Sequence, residues 1–273
     1  MVGLIGDPVD HSLSPVIHNA AFAALELDMA YVPLPVAAAD VADAVRGLRA
    51  LGFRGANVTM PHKAAVMALL DRVADEAAEV AAVNTIVVAD DGLQGHNTDV
   101  AGFARALRDV VPGGVAGASV LLVGAGGAGR AAASALAREG VAHIAVADKT
   151  SADAAPVVAL LDRMGGQVEA ESMALGDVSV ALVAGSDLIV NATPLGMAGG
   201  GKVPRVLVDN ISGRHIVYDV VYGKRPTELL ERARVVEARV VDGLSMLVWQ
   251  AASAFELWTG RAAPVEVMRS AAR

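Results

Sequence analysis

The sequence predicts an α/β fold with parallel strands, organised as two domains. Three observations carry this. Short apolar runs of strand length alternate with stretches of helical periodicity along the chain. A turn with glycines at 124, 126 and 129 sits between a strand and a helix. The 273 residues correspond to two domains, at about 150 residues each, enough to bury a core without staples.

Taken in order, Val2–Gly6 is the first strand. Ser14 as N-cap and Pro15 at the first helical position open a helix with Ile17, Ala21, Phe22 and Leu25 at helical spacing. Ala30–Val36 is extended. Asp40 caps a helix that groups Val41, Val45 and Leu48 and ends at Gly52. Gly55–Thr59 is a short strand, and Pro61 opens another helix. Val83–Val88 and Leu93–His96 form a hairpin about Asp91-Gly92, a pair suited to a two-residue turn. A boundary falls near Asp99–Gly102. Beyond it come a helix, a glycine-rich loop over Pro112–Gly117, a strand at Val120–Val123 and a helix at Arg130–Glu139 closed by Gly140. Strands follow at His143–Ala147, Asp187–Val190, His215–Asp219 and Ala238–Val241. The last helix carries Met246, Leu247, Gln250, Phe255 and Trp258.

Composition narrows the function classes. Apolar residues make up 54% and charged residues 19%, which excludes intrinsic disorder. There is no cysteine, so disulfides, thiolate nucleophiles and cysteine-held metals are excluded and a reducing cytoplasm is the expected location. The net charge of −8 argues against nucleic acid or an anionic membrane surface as partner. Mean hydropathy is +0.49. Even so, the uncharged stretch Val110–Gly129 is broken by Pro112 and seven glycines and does not fit a membrane span. The N-terminus lacks a basic region followed by an apolar one, so no signal peptide is expected. His11, His18, His62 and His96 lack metal-ligand spacing and are expected at loop and helix-surface positions, with no metal bound.

The glycines at 124, 126 and 129 fit G-x-G-x-x-G, the turn of a Rossmann-type dinucleotide-binding domain. One glycine makes the tight turn, one lets backbone approach a pyrophosphate, and one packs helix against strand. The helix N-terminus offers N–H groups and a positive dipole end to the phosphates. Asp148 ends the next strand, 19 residues after Gly129, where an acidic residue accepts from an adenosine ribose 2′-hydroxyl. A carboxylate there repels a 2′-phosphate, which favours NAD. Lys149, next in sequence, can pair with that phosphate and leaves NADP open.

Ser12, Ser14, Asn57, Thr59, Lys63, Asn84, Thr85, Asn97, Thr98, Asp99 and Gln250 are polar residues in apolar surroundings. Hydroxyls and amides both donate and accept, so they can line a site for a small polyhydroxylated acid. Lys63 and Asp99 alone among them carry charge. A lysine held by a carboxylate can exchange a proton with an alcohol or ketone oxygen during hydride transfer.

In combination these motifs resemble the shikimate dehydrogenase family, including its quinate/shikimate relatives. The match runs from about Gly3 to Gly260. It rests on Ser12-Leu-Ser14-Pro15-x-x-His18-Asn19, Asn57-Val-Thr59-x-Pro61-x-Lys63, Ala82-Val-Asn84-Thr85 and Gly95-x-Asn97-Thr98-Asp99. It continues through Gly124-Ala125-Gly126-Gly127-Ala128, Asn191-Ala-Thr193-Pro-Leu-Gly196-Met197, Asp219-x-x-Tyr222 and Gly243-Leu-x-Met246-Leu247-x-x-Gln250. The resemblance implies a substrate-binding catalytic domain at 1–99, completed by C-terminal helices at 244–273. It implies a NAD(P)-binding Rossmann domain at 100–243, with a cleft between the two. Ser12 and Ser14 would hold a substrate carboxylate. Asn57, Thr59, Asn84, Asp99, Tyr222 and Gln250 would line the ring. Lys63 beside Asp99 would be the general acid/base. Gly124, Ala125, Gly126, Gly127, Ala128, Asp148, Lys149, Thr193, Val220 and Gly243 would meet the dinucleotide.

One departure bears on the cofactor. NADP-using members usually carry Asn-Arg-Thr or Asn-Arg-Ser after the second strand and a further Arg beyond, whereas this chain has Asp148-Lys149-Thr150 and Asp153. The implied activity is reversible NAD(P)-dependent reduction of 3-dehydroshikimate to shikimate, a step of chorismate and aromatic amino acid biosynthesis. The alternatives are a NAD-using quinate/shikimate or aminoshikimate dehydrogenase and, from another class, a non-catalytic ligand and dinucleotide sensor. A monomer or homodimer is expected.

Overall fold

The computed structural model describes residues 1–223 and 225–273. The chain divides into two compact units. Met1–Gly102 and Leu247–Arg273 form the first, and Phe103–Met246 the second.

The first unit is built on a six-stranded sheet. Its elements are β1 (Val2–Gly6), α1 (Ser14–Ala24), β2 (Tyr31–Pro35), α2 (Val41–Ala50), β3 (Gly55–Val58), β4 (Arg72–Val73), α3 (Asp75–Glu79), β5 (Thr85–Ala89), β6 (Gly92–His96) and the start of α4 (Thr98–Val110). The strand order is β2-β1-β3-β5-β6-β4. All neighbours run parallel except β5, which is antiparallel to both β3 and β6. The N-terminal end of β5 therefore meets the C-terminal ends of β3 and β6, and the loops there converge on one sheet edge.

Local details differ from expectation. Ser14 is the first residue of α1, and the Ser12 hydroxyl, not that of Ser14, accepts from the Ser14 N–H at 3.2 Å. Asp40 makes no side-chain cap, because Ala38–Asp40 already forms a 3-10 turn leading into α2. Met60-Pro61 is a cis peptide, and the helix expected from Pro61 is a 3-10 stretch at Ala65–Leu69 instead. The hairpin turn is Asp90-Asp91, since Ala89 pairs with Gly92. Gly92 lies at φ +136, and a Cβ there would meet the Asp71 carboxylate at 2.4 Å.

The second unit holds β7 (Ser119–Val123), α5 (Gly127–Arg138), β8 (His143–Asp148), α6 (Ser151–Arg163), β9 (Glu169–Ala174), α7 (Val180–Gly185), β10 (Leu188–Asn191), α8 (Arg205–Asp209), β11 (Ile216–Asp219), α9 (Glu228–Val235) and β12 (Arg239–Asp242). Its six strands are all parallel in the order β12-β11-β10-β7-β8-β9. Renumbered within the unit this is 3-2-1-4-5-6, the doubly wound order, with its reversal point between β7 and β10. The apolar strands bury their side chains beneath flanking helices, with Leu121, Val123, Ile189, Val217, Leu229 and Leu230 among the core. β9 is absent from the sequence expectations. Glu169, Glu171 and Ser172 interrupt its apolar residues, as an edge strand allows.

The chain ends with α10 (Gly243–Thr259) and α11 (Val265–Ala271). In the first unit α10 contributes Trp258, whose indole N–H donates to Ile86 O at 2.9 Å. A Cβ on Gly55 would meet that indole nitrogen at 2.4 Å, so Gly55 admits the ring. The apolar core beside it includes Ile5, Val45, Phe53, Val58, Val83 and Ile86.

Candidate active site

In the first unit the polar residues singled out in the sequence gather where β3, β5 and β6 meet. Lys63 follows β3, and its carbonyl accepts from Val83 N at 2.8 Å, which holds its segment beside the start of β5. Asp99 lies in the first turn of α4. The Asn97 side chain caps that turn, accepting from Asp99 N at 3.0 Å and Val100 N at 3.2 Å. Lys63 Nζ donates to Asp99 Oδ2 at 2.6 Å, with side-chain exposures of 21% and 9%. The lysine thus keeps access to a ligand while the carboxylate is nearly enclosed.

Asn84 holds the other carboxylate oxygen. Its Nδ2 donates to Asp99 Oδ1 at 2.8 Å and to Thr98 Oγ1 at 2.9 Å. Its Oδ1 accepts from Thr98 N at 2.8 Å and Thr85 Oγ1 at 3.0 Å. All four hydrogen-bonding positions of the amide are taken within the protein. Asn57 Nδ2 donates to Thr85 Oγ1 and Asn84 O, and Asn57 Oδ1 accepts from the Tyr31 hydroxyl at 2.8 Å. One lone pair of Asn57 Oδ1 is left for a ligand. Thr59 packs against Gly6, where a Cβ would meet its methyl carbon at 2.3 Å. Ser12 lies on the loop after β1 and Ser14 opens α1, its N–H donating to Ser12 Oγ. Gln250 donates to Leu247 O at 2.9 Å, leaving its Oε1. A Cβ on Gly102, one turn beyond Asp99, would meet Gln250 Cβ at 2.8 Å, so the two helices approach closely there.

Sequence reasoning missed Tyr31, which fixes Asn57. The available signal was a lone Tyr opening the strand Tyr31-Val-Pro-Leu-Pro. It also misread three histidines: His18 is buried within α1, His62 is buried on the loop after β3, and His96 ends β6. His62 bonds to Val36 O at 2.7 Å. His18 stacks on Tyr31 with centroids 4.5 Å apart and lies near Trp258. Among the described residues neither His18 ring nitrogen has a partner. Burial pushes its pKa down to about 3, so it is neutral.

In the second unit the glycine turn follows β7 at the reversal point. Gly124 has φ +106, and a Cβ there would meet Ala192 backbone atoms at 2.9 Å. A Cβ on Gly129 would lie 2.0 Å from Gly124 O. Gly126 is the N-cap of α5, has no side-chain cap and faces open space. The first N–H groups of α5 thus remain for a ligand, and no Cβ obstructs approach. This cradle fits a pyrophosphate. Asp148 Oδ2 accepts from Ala125 N and Oδ1 from Lys149 N, both at 2.7 Å, so the acid is locked to the turn. Thr150 and Asp153 form a reciprocal cap at the start of α6. Lys149 is exposed. Thr193 follows β10, Val220 and Tyr222 follow β11, and Gly243 opens α10. A Cβ on Gly243 would meet Val220 O at 2.2 Å. Among the described residues no cluster of three or more acidic or His side chains could hold a metal, and no helix is long and apolar enough to cross a membrane.

A Rossmann-type unit and a second α/β unit bearing a lysine–aspartate pair define a two-domain protein of the dehydrogenase type. Comparison with known proteins is specific. Residues 4–86 match the shikimate dehydrogenase substrate binding domain, and 243–273 match the shikimate 5'-dehydrogenase C-terminal domain. Residues 120–198 match a saccharopine dehydrogenase NADP binding domain. The shikimate dehydrogenase (NADP(+)) of Moorella thermoacetica is 44% identical, over 98% of this chain and 90% of that protein. Shikimate 5-dehydrogenase of Listeria monocytogenes, solved with shikimate and NAD, is 36% identical with TM-score 0.89, covering 98% of this chain and 94% of that one. Quinate dehydrogenase of Corynebacterium glutamicum, solved with NAD, is 35% identical with TM-score 0.91, covering 99% and 97%. The chain belongs to the shikimate dehydrogenase family.

Proposed function

We propose that this protein catalyses the reversible NAD(P)-dependent reduction of 3-dehydroshikimate to shikimate. The observation that carries the reading is the 2.6 Å bond from Lys63 to an Asp99 whose second oxygen is held by Asn84. The glycine turn at Gly124, Gly126 and Gly129 would hold the dinucleotide, which would supply the hydride in reduction and take it up in oxidation. Lys63 donates the proton to the oxygen of the reacting carbon in reduction and removes it in oxidation. Asp99 fixes the direction of the Lys63 ammonium and accepts from a ring hydroxyl. Ser12 and Ser14, at the start of α1, receive the substrate carboxylate. Thr59, the free lone pair of Asn57, Gln250 and Tyr222 read the ring hydroxyls, and Asn84 acts through Asp99.

NAD is the expected preference. The Asp148 carboxylate is fixed beside the turn, and Asp153 adds a second anion near the adenosine end. A 2′-phosphate of charge about −1.5 to −2 would face both, against the Lys149 ammonium and the Arg130 guanidinium, which donates to Ala125 O at the same turn. The cysteine-free chain is expected to work in the cytoplasm as a monomer or homodimer. A quinate-preferring enzyme is the second reading, favoured by likeness to the NAD-bound quinate dehydrogenase. It is separated by kcat/KM for the two acids. A non-catalytic sensor has no need of the intact Lys63–Asp99 pair.

The test is Lys63→Ala. Its kcat should fall about 10²–10⁴-fold, the range for loss of a general acid/base, with a much smaller change in KM. A kcat close to wild type would remove Lys63 from the chemistry.

A further inference from the structure

The helix α1 carries two polar residues that the chemistry above does not use, His18 and Asn19. Both grip Tyr31 on β2. Asn19 takes its backbone. Tyr31 N donates to Asn19 Oδ1 at 2.8 Å, and Asn19 Nδ2 donates to Tyr31 O at 3.0 Å. β2 is an edge strand, so these two backbone groups face the open side of the sheet, and one side-chain amide stands where a further strand would pair. His18 takes the ring. Its imidazole stacks on the Tyr31 ring with centroids 4.5 Å apart and an interplanar angle of 2°. Trp258 lies 5.3 Å from the imidazole, tilted by 52°. Among the described residues neither nitrogen of His18 has a partner, so the imidazole contributes a flat face and no hydrogen bond.

Tyr31 passes this placement to Asn57. Its hydroxyl donates to Asn57 Oδ1 at 2.8 Å. At the other end of the amide, Nδ2 donates to Asn84 O at 3.1 Å and to Thr85 Oγ1 at 3.0 Å. A backbone carbonyl can only accept, so Asn84 O fixes which end of the amide is nitrogen, and Tyr31 is then the donor to the oxygen. Both N–H groups of the amide are taken within the protein. The remaining lone pair of Oδ1 makes Asn57 an acceptor toward a ligand, in a direction set by where the Tyr31 hydroxyl stands. Ser14 and His18 lie four residues apart on one buried face of α1. The same helix thus bears the serine that would receive the carboxylate and the ring that holds Tyr31 on the hydroxyl-reading amide.

We propose that His18 and Asn19 are positioning residues for substrate binding: clamping Tyr31 by its ring and its backbone, they set its hydroxyl on Asn57 and so direct the free lone pair of that amide toward a ring hydroxyl of the substrate. This rests on reading the first unit as the substrate site.

The test is a double-mutant cycle on initial-rate oxidation of shikimate by the intact chain, with NAD and with NADP at saturation. Asn19→Ala and His18→Leu should each raise KM for shikimate about threefold to tenfold, with kcat within about twofold of wild type and KM for the dinucleotide unchanged. In the Tyr31→Phe background, where no hydroxyl remains to be placed, each should add less than about 1.5-fold. His18→Phe keeps a flat ring and should raise KM less than His18→Leu does. A merely stabilising role would leave KM unchanged, or would multiply it equally with and without the Tyr31 hydroxyl, and either result would overturn the proposal while leaving the substrate site intact. Equal KM values for His18→Phe and His18→Leu would overturn the part assigned to His18. Asn19 is exposed, so Asn19→Ala carries the test should His18→Leu fail to fold. Absence of shikimate turnover by the wild type with either dinucleotide would overturn the reading of the site and the proposal together.

Discussion

Asn84→Ala separates a residue that touches substrate from one that acts through Asp99. The side chain donates to Asp99 Oδ1 and Thr98 Oγ1 and accepts from Thr98 N and Thr85 Oγ1, all at 3.0 Å or less. Truncation leaves a buried Thr98 N–H without its acceptor and Asp99 without its neutral donor. A buried group left unsatisfied costs about 1–3 kcal/mol. A water entering the vacated space returns part of this, so a stability loss of about 2 kcal/mol is expected in urea unfolding. Asp99 keeps only Lys63 among these two side-chain donors, and their shared orientation loosens. If about 1.4–2.7 kcal/mol of that is lost from the transition state, kcat falls about 10–100-fold. KM for substrate should change by less than about threefold, since the amide has no hydrogen-bonding position left to offer a ligand. Initial rates of shikimate oxidation decide it. A raised KM with unchanged kcat would mean that Asn84 binds substrate directly, and the reasoning would fail.

Other expectations follow from the same geometry. Tyr31→Phe leaves Asn57 Oδ1 without its buried donor and should cost about 1 kcal/mol of stability and raise KM a few-fold with kcat nearly unchanged; an unaltered KM would remove Asn57 from the substrate site. His18 is neutral in the folded chain with its pKa lowered to about 3. Between pH 6.5 and 3 the unfolded state therefore binds the extra proton, and stability is lost as pH falls, by up to about 1.4 kcal/mol per unit. Asp219, with its raised pKa, acts in the opposite sense between about pH 4 and 6. The His18 contribution is thus read as wild type minus His18→Phe, which should slope across that window, and parallel curves would contradict it. Asp148→Ser removes the carboxylate expected at the ribose and should raise the NADP-to-NAD ratio of kcat/KM about tenfold, a change of 1.4 kcal/mol in discrimination. An unchanged ratio would assign cofactor choice elsewhere.

Periodicity and turn chemistry carried the architecture because they are local. The strand before Gly124, the helix after it and Asp148 at the end of the next strand are all written within a short stretch. β9 escaped because an edge strand tolerates Glu169 and Glu171. The capping expectations at Ser14 and Asp40 failed because the local chain turns supplied other partners. At the site, the identity of Lys63 and Asp99 was legible from residue type. Their pairing was expected only through the family resemblance, because it depends on β5 running antiparallel between β3 and β6, which residue type and spacing do not give. Nor do they give Tyr31 on Asn57 or Asp219 on Thr227, where residues far apart or in separate loops meet only once the sheet has formed. Histidine burial was illegible for a related reason: His18 is enclosed by Tyr31 and Trp258 from distant elements.

The central claim, a dinucleotide-dependent dehydrogenase working through Lys63 and Asp99, is tested most directly by initial-rate oxidation of shikimate with NAD and NADP side by side. The account predicts turnover that is lost in Lys63→Ala, with the higher kcat/KM for NAD. Turnover with neither dinucleotide would contradict it.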